Sequence, residues 1–242
     1  MHRPVLIGLL AGTLVMSPAP AKEKEKEEKA AGDSPVIATV NGEAVTKAEW
    51  STIMKADQWY GPTLKEEAGF KEKMQGKPFE DFFFKEEVVK IRAMAQKYKD
   101  NLPQMKEAID AVYGKTKAAE DFAELAKQYS QEGSATNGGD IGTKELKEMV
   151  FPFNRVAFSL KAGEISEPVL TIFGYHIIKV EKIFPASPSE GKGKRVTVRH
   201  ILIRYPATNP RDESETLASQ AKVEILDKGL CKKLVSYCPK EG

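Results

Sequence analysis

Between residues 122 and 180 the chain reads FAELAKQYSQEGSATNGGDIG, then FPFNRVAFSLKAGEISEPV, then FGYHIIKVEKI. Asp121 with Glu124 three residues on is a helix start, and Phe122, Leu125, Ala126 and Tyr129 form its apolar stripe. A Gly-rich turn, a second helix and two strands follow. The strands are expected over Ile165–Leu170 and Tyr175–Ile183. In the second, His176, Ile178 and Val180 share the more apolar face, and Tyr175, Ile177, Lys179 and Glu181 the other. Helices striped in this way need a sheet to cover, so the segment constrains the fold to α+β. The Asn137-Gly138-Gly139-Asp140 run is a turn whose glycines permit positive φ. It is not a phosphate loop, because no strand, Gly-loop and Lys-bearing helix occur in order.

Upstream, Met105, Ala108, Ile109 and Val112 recur at helical spacing as far as about Gly114. The stretch FFFKEEVVKIRAMAQKY from Phe82 to Tyr98 mixes strand-like and helix-forming residues, and Pro103 is expected to end it. Residues 60 to 80 carry Gly61, Pro62, Gly69, Gly76 and Pro78 among charges and read as an irregular connection. In VIATVNGEAVTKAEW, Asn41-Gly42 marks a tight hairpin and Thr46-x-x-Glu49 a capping box, giving a small lobe that enters a helix. Downstream, FPASPSEGKGK separates the last strand from a further alternating segment, VTVRHILIRY.

The chain opens like an export signal, with Arg3, an apolar run from Val5 to Met16 and an Ala-x-Ala pattern ending at Ala21. That run is too short to span a bilayer, and no later segment reaches roughly 18 consecutive apolar residues. Export without stable membrane insertion is therefore expected, with the mature chain in the bacterial periplasm. Lys22 to Ser34, KEKEKEEKAAGDS, is a charged leader that cannot bury enough surface to order itself. Without Arg3 the formal net charge falls from +2 to +1, which selects against nucleic acid as a partner. Cys231 and Cys238, seven apart, would lie about 10 Å apart in a helix. They are read as unpaired or as small buried apolar residues, with a disulfide open only if the segment is not helical.

Taken together, these motifs resemble the parvulin-type peptidyl-prolyl cis/trans isomerases, and in domain order the SurA/PrsA-type extracytoplasmic foldases. The resemblance covers roughly residues 104 to 183. It rests on FAELA with Tyr129-Ser130, NGGDIG at 137 to 142, AFSL at 157 to 160, GEISEP at 163 to 168 and FGYHII at 173 to 178. VIATVNGEAVTKAEW resembles the opening of the N-terminal chaperone lobe of such foldases. VTVRHILIR at 196 to 204 resembles the first strand of a parvulin domain, and Leu217 to Tyr237 its first helix. The implied architecture is an antiparallel-rich sheet covered by helices, with a small N-terminal helical lobe and an incomplete second parvulin-like repeat. The implied division is 1–21 signal peptide, 22–34 leader, 35–81 lobe, 82–185 parvulin-like domain, 186–195 linker and 196–242 partial repeat.

The resemblance implies an isomerase acting on unfolded or newly exported chains at X-Pro bonds, with no cofactor or metal. Rotation about such a bond faces about 18–20 kcal/mol because the amide is planar, and a catalyst need only favour the twisted state. Apolar walls and a few polar groups suffice. By motif position, Met149, Phe153 and Phe173 correspond to substrate-binding walls. His176 corresponds to the C-terminal active-site histidine, Thr171 to a hydroxyl preceding it, and Glu132 to a polar group facing the amide. On residue type alone Met149, Phe153 and Phe173 are as readily core residues, Glu132 a solvated loop carboxylate, and His176 a buried histidine satisfied by a backbone carbonyl.

One departure bears on activity. The family usually carries another histidine in its first strand, and KIRAMAQKY, with Ala95 at the corresponding place, has none. A holdase chaperone or peptide-binding module with weak or no turnover is thus the alternative function. A truncated product or a subunit needing another chain is a third. The missing histidine does occur downstream as His200, so a swapped pairing of 196 to 204 beside His176 is the alternative to a separate repeat.

Overall fold

The computed structural model describes residues 34–55, 78–146, 148–187 and 193–238. The signal segment, nearly all of the charged leader and most of the connection expected at 60–80 lie outside them. Among the described residues no helix is long and apolar enough to cross a membrane.

The described residues open with a hairpin, β1 (Val36–Val40) and β2 (Glu43–Thr46), turning at Asn41 and Gly42. Both turn residues have positive φ, as an Asn-Gly turn requires. Helix α1 (Lys47–Lys55) follows, and Thr46 Oγ1 accepts the Glu49 N–H at 3.2 Å. The ambiguous segment is helical throughout. Helix α2 (Phe79–Phe83) passes through a π-helical turn (Phe84–Val89) into α3 (Lys90–Lys97). Ala95 therefore lies on a helix and stands in no strand. Pro103 does not end this run, since Tyr98 already has. Proline instead occupies the first turn of α4 (Leu102–Lys117), where its missing N–H costs nothing. Ala108 is exposed, and the buried stripe of α4 is Met105, Ile109, Val112 and Thr116.

Helix α5 (Phe122–Tyr129) is capped by Asp121, whose carboxylate accepts the Glu124 N–H at 2.9 Å. A 3-10 turn (Gly133–Asn137) leads into β3 (Asp140–Glu145). Then come α6 (Phe151–Ser159), β4 (Val169–Thr171), β5 (Gly174–Phe184) and β6 (Arg195–Arg204). The chain closes with α7 (Pro210–Gln220), β7 (Val223–Ile225) and the single turn α8 (Lys228–Cys231).

Four strands form the larger sheet in the order β3-β6-β5-β4, antiparallel throughout. The segment expected to open a separate incomplete repeat is thus a central strand of this sheet, between β3 and β5. The β5–β6 register runs unbroken from Gly174↔Arg204 to Val180↔Val198. Alternation sends Ile177, Ile201 and Ile203 to one face, under α4 and α5 with Ile109, Phe122 and Leu125. The other face, with Ile178, Val180, Val196 and Val198, packs under α6 against Phe153, Val156 and Phe158.

The smaller sheet, β2-β1-β7, likewise takes its third strand from the end of the chain. Its core joins Ile37, Val40, Trp50 and Phe84 to Leu230 and Leu234. Residues 217–237 are not one helix, and this frees Cys231 and Cys238 to pair. The two form a disulfide with Cα atoms 5.6 Å apart, which corrects the unpaired reading.

Candidate functional site

His176 on β5 and His200 on β6 point to the α6 face of the sheet and are both buried, 3% and 5% exposed. Ile178 pairs with His200 and His176 with Leu202, so the two imidazoles are diagonal neighbours across adjacent strands. Their Nδ1 atoms are 3.0 Å apart and the rings are nearly parallel, at 15°. Phe153, from α6, stands edge-on to both rings, with centroids 5.3 Å from His176 and 5.5 Å from His200.

Both outer nitrogens are engaged. His176 Nε2 lies 2.9 Å from Thr171 Oγ1, which also accepts the Phe173 N–H at 3.0 Å. His200 Nε2 lies 3.0 Å from the Glu132 carboxylate and 3.3 Å from Ser134 Oγ. Hydrogen bonds from His200 and Ser134 hold the Glu132 pKa down to about 2, so the carboxylate is ionised and can only accept. His200 Nε2 must then carry a proton. Burial, and secondarily His200 nearby, push the His176 pKa well below its ordinary value and keep that ring neutral. His200 Nε2–H donates to Glu132, one proton lies between the two Nδ1 atoms, and the Thr171 hydroxyl closes the far end of the chain at His176 Nε2.

Local sequence explains this placement. The Glu132 side chain caps the 3-10 turn by accepting the Ser134 N–H at 3.1 Å, which turns its carboxylate back toward β6. Gly138 and Gly139 follow with φ of +65° and +74°. At Gly139 a Cβ would stand 2.2 Å from the His200 carbonyl oxygen, so only glycine lets β3 approach β6 here. The His200 N–H donates to Gly139 O at 2.9 Å across that approach. Arg199 bonds the Asn137 and Gly138 carbonyls and the Glu181 carboxylate, fastening turn to sheet.

Of the six expected residues, His176, Thr171, Glu132 and Phe153 are thus brought together. Met149 is half-buried and packs into the same apolar cluster as Phe153. Phe173 is not with them. It packs against the cluster on the opposite face, and the Arg211 guanidinium lies 5.3 Å over its ring. Ser134 is not signalled by the sequence, and His200, read first as part of a separate repeat, stands as in the alternative, with 196–204 paired beside His176. The signal for His200 was its His-Ile-Leu context on an alternating strand.

Residues 89–182 match the family model described as Rotamase, the PPIC-type PPIase domain. His200 lies outside that range and enters the site through β6. The chain thus carries a parvulin-type domain over residues 89–182. Among curated relatives it is similar to the foldase protein PrsA of Geobacillus sp. (strain WCH70), 37% identical over 65% of this chain and 55% of the relative. It is also similar to the chaperone SurA of Methylococcus capsulatus, 35% identical over 43% and 23% of the two chains. The matches span about half the length of the PrsA relatives, 43% to 55%. A crystal structure of PrsA from Bacillus subtilis aligns over 84% of this chain and 99% of that one, with 20% identity and a TM-score of 0.27, too slight a likeness to bear on function.

Proposed function

We propose that the protein is a peptidyl-prolyl cis/trans isomerase acting on X-Pro bonds of unfolded, exported polypeptides in an extracytoplasmic compartment. The observation that carries this reading is the 3.0 Å contact between His176 and His200. It supplies the pair of histidines that the resemblance implies and that residues 90–98 lack, so the feature that favoured a holdase without turnover loses its force.

All four ring nitrogens have partners, which leaves none to take a proton from a substrate. The pair therefore works as a fixed polar floor, oriented at one end by Thr171 and at the other by Glu132. Phe153 and Met149 supply the apolar wall for the proline ring, and the half-buried Glu132 and Ser134 form the polar rim. A planar amide set against that wall loses solvation, while the rim and floor dipoles favour the twisted carbonyl; no bond to the protein forms.

The test is cis-to-trans conversion of a proline tetrapeptide by the mature chain, with aggregation of a denatured client measured in parallel. Wild type is expected to turn the peptide over, and His176→Ala and His200→Ala each to reduce kcat/KM by about 10²-fold, the loss expected for removing preorganised polar groups. Suppression of aggregation without any turnover would establish the holdase and overturn the isomerase.

A further inference from the structure

Helix α6 carries Phe153 toward the histidines, and its opposite side is held by a different part of the chain. Residues four apart share a helix face, whereas a residue two positions on lies roughly 200° round the axis. Phe151 and Arg155 therefore look away from Phe153. Phe151 packs edge-on against Phe82 and Phe83, with centroids 5.2 and 4.7 Å away. Arg155 Nε donates to Glu87 Oε2 at 2.9 Å. Phe82, Phe83 and Glu87 all lie on α2 and its π-helical turn, whose aromatic residues belong to the core of the smaller sheet.

Glu87 is fully buried, and its second carboxylate oxygen has no hydrogen-bond partner among the described residues. Such a pair is a poor source of stability, because desolvating both charges offsets their attraction. Its geometric consequence is specific: the π-helical turn swings Glu87 out of α-helical register onto the one helix that walls the site. We propose that Glu87 and Arg155 are positioning residues. They set the rotation and height of α6, and through it the placement of the Phe153 ring on His176 and His200, so that the N-terminal unit governs turnover at the isomerase site. This rests on the isomerase reading above.

The experiment compares wild type with Glu87→Gln and Arg155→Lys, below the unfolding temperature of each, by peptide turnover and by proton NMR of the imidazole ring protons. A ring edge-on at 5.3–5.5 Å shifts those protons, and Phe153→Leu calibrates the full effect. The variants are expected to move the imidazole signals toward the Phe153→Leu positions. They are also expected to lower kcat by roughly tenfold to a hundredfold with KM nearly unchanged, the loss that misplacement on the order of 1 Å produces. Lowered thermal stability with wild-type imidazole signals and kcat would overturn the proposal and leave the pair structural. Should Glu87→Gln unfold, Arg155→Lys carries both readouts. If the wild type itself shows no turnover, the isomerase reading fails, and the NMR shifts still decide the positioning role.

Discussion

The neutral, buried His176 makes folding stability depend on pH in a window that can be isolated. In the unfolded chain the imidazole takes up a proton as pH falls through its ordinary pKa of 6.5. In the folded protein burial and His200 depress that pKa well below 6.5, so the native state binds fewer protons throughout the interval between the two values. Stability therefore rises with pH there and falls on acidification. One unbalanced proton corresponds to about 1.4 kcal/mol per pH unit once pH is below 6.5. Glu132 contributes in the same direction but lower down: its folded pKa is depressed from 4.5 to about 2, so its stabilisation is complete above 4.5 and is lost as pH falls toward 2. Between pH 6.5 and 4.5 Glu132 adds nothing, and Glu87, whose folded pKa burial raises above 4.5, acts in the opposite direction in wild type and variant alike, so the imidazole is read as the difference between the two. Urea unfolding followed by near-ultraviolet circular dichroism, at half-unit steps from pH 7.5 to 4.5, should show wild type losing stability more steeply than His176→Gln. The slopes should differ by about 1.4 kcal/mol per unit. Parallel curves for the two proteins would refute a neutral buried imidazole at this position.

Two further outcomes separate close approach from simple backbone strain and test the origin of the second histidine. Gly139→Ala and Gly142→Ala introduce the same left-handed residue, at φ of +74° and +76°, but only at Gly139 does the new methyl meet the His200 carbonyl, at 2.2 Å. Urea unfolding should show Gly142→Ala losing about 1–2 kcal/mol, and Gly139→Ala about 2–5 kcal/mol once overpacking of about 1–3 is added, with a loss of turnover only in the second. A fragment ending at residue 186 should lack isomerase activity, and adding a peptide of residues 193–238 should restore it. Full turnover by the fragment alone would show that β6 is dispensable.

Local physics made much of the scaffold legible. Asp121, Thr46 and Asn41-Gly42 announced a helix cap, a second cap and a hairpin, because each acts within four residues of itself. The alternation of 174–184 gave both its strand and the face of His176. What sequence could not decide was the neighbour of VTVRHILIR, for which a separate repeat and a place beside His176 both stood open. Alternation fixes which side chains face a core but says nothing about which strand lies alongside, and pairing across non-adjacent strands is a long-range choice. Strand β3 was invisible for a related reason: DIGTKE has no apolar alternation, and all its residues but one are half-buried. The placement of Phe173 was not legible because a motif position in a turn does not determine the side to which the ring rotates, and Arg211, brought near only by the fold, offers it a partner.

The placement of β6 and β7 has a consequence for how the chain holds together. β6 leaves the larger sheet and α7 carries the chain across α3, where Glu215 pairs with Lys90 and Lys85 and Glu213 accepts from Tyr98 at 2.7 Å. β7 then completes the sheet that residues 36–46 began, and Asp81 receives the Ser236 N–H and hydroxyl at 2.8 and 2.6 Å. The smaller sheet therefore takes its third strand from a segment that has first passed through the larger one, and neither sheet is complete without residues 195–225. A site whose second histidine arrives on β6 forms only when the larger sheet is complete. The N-terminal unit is tied to the segment that follows the second histidine through β7, and the link through α6 is a second connection between the same two parts.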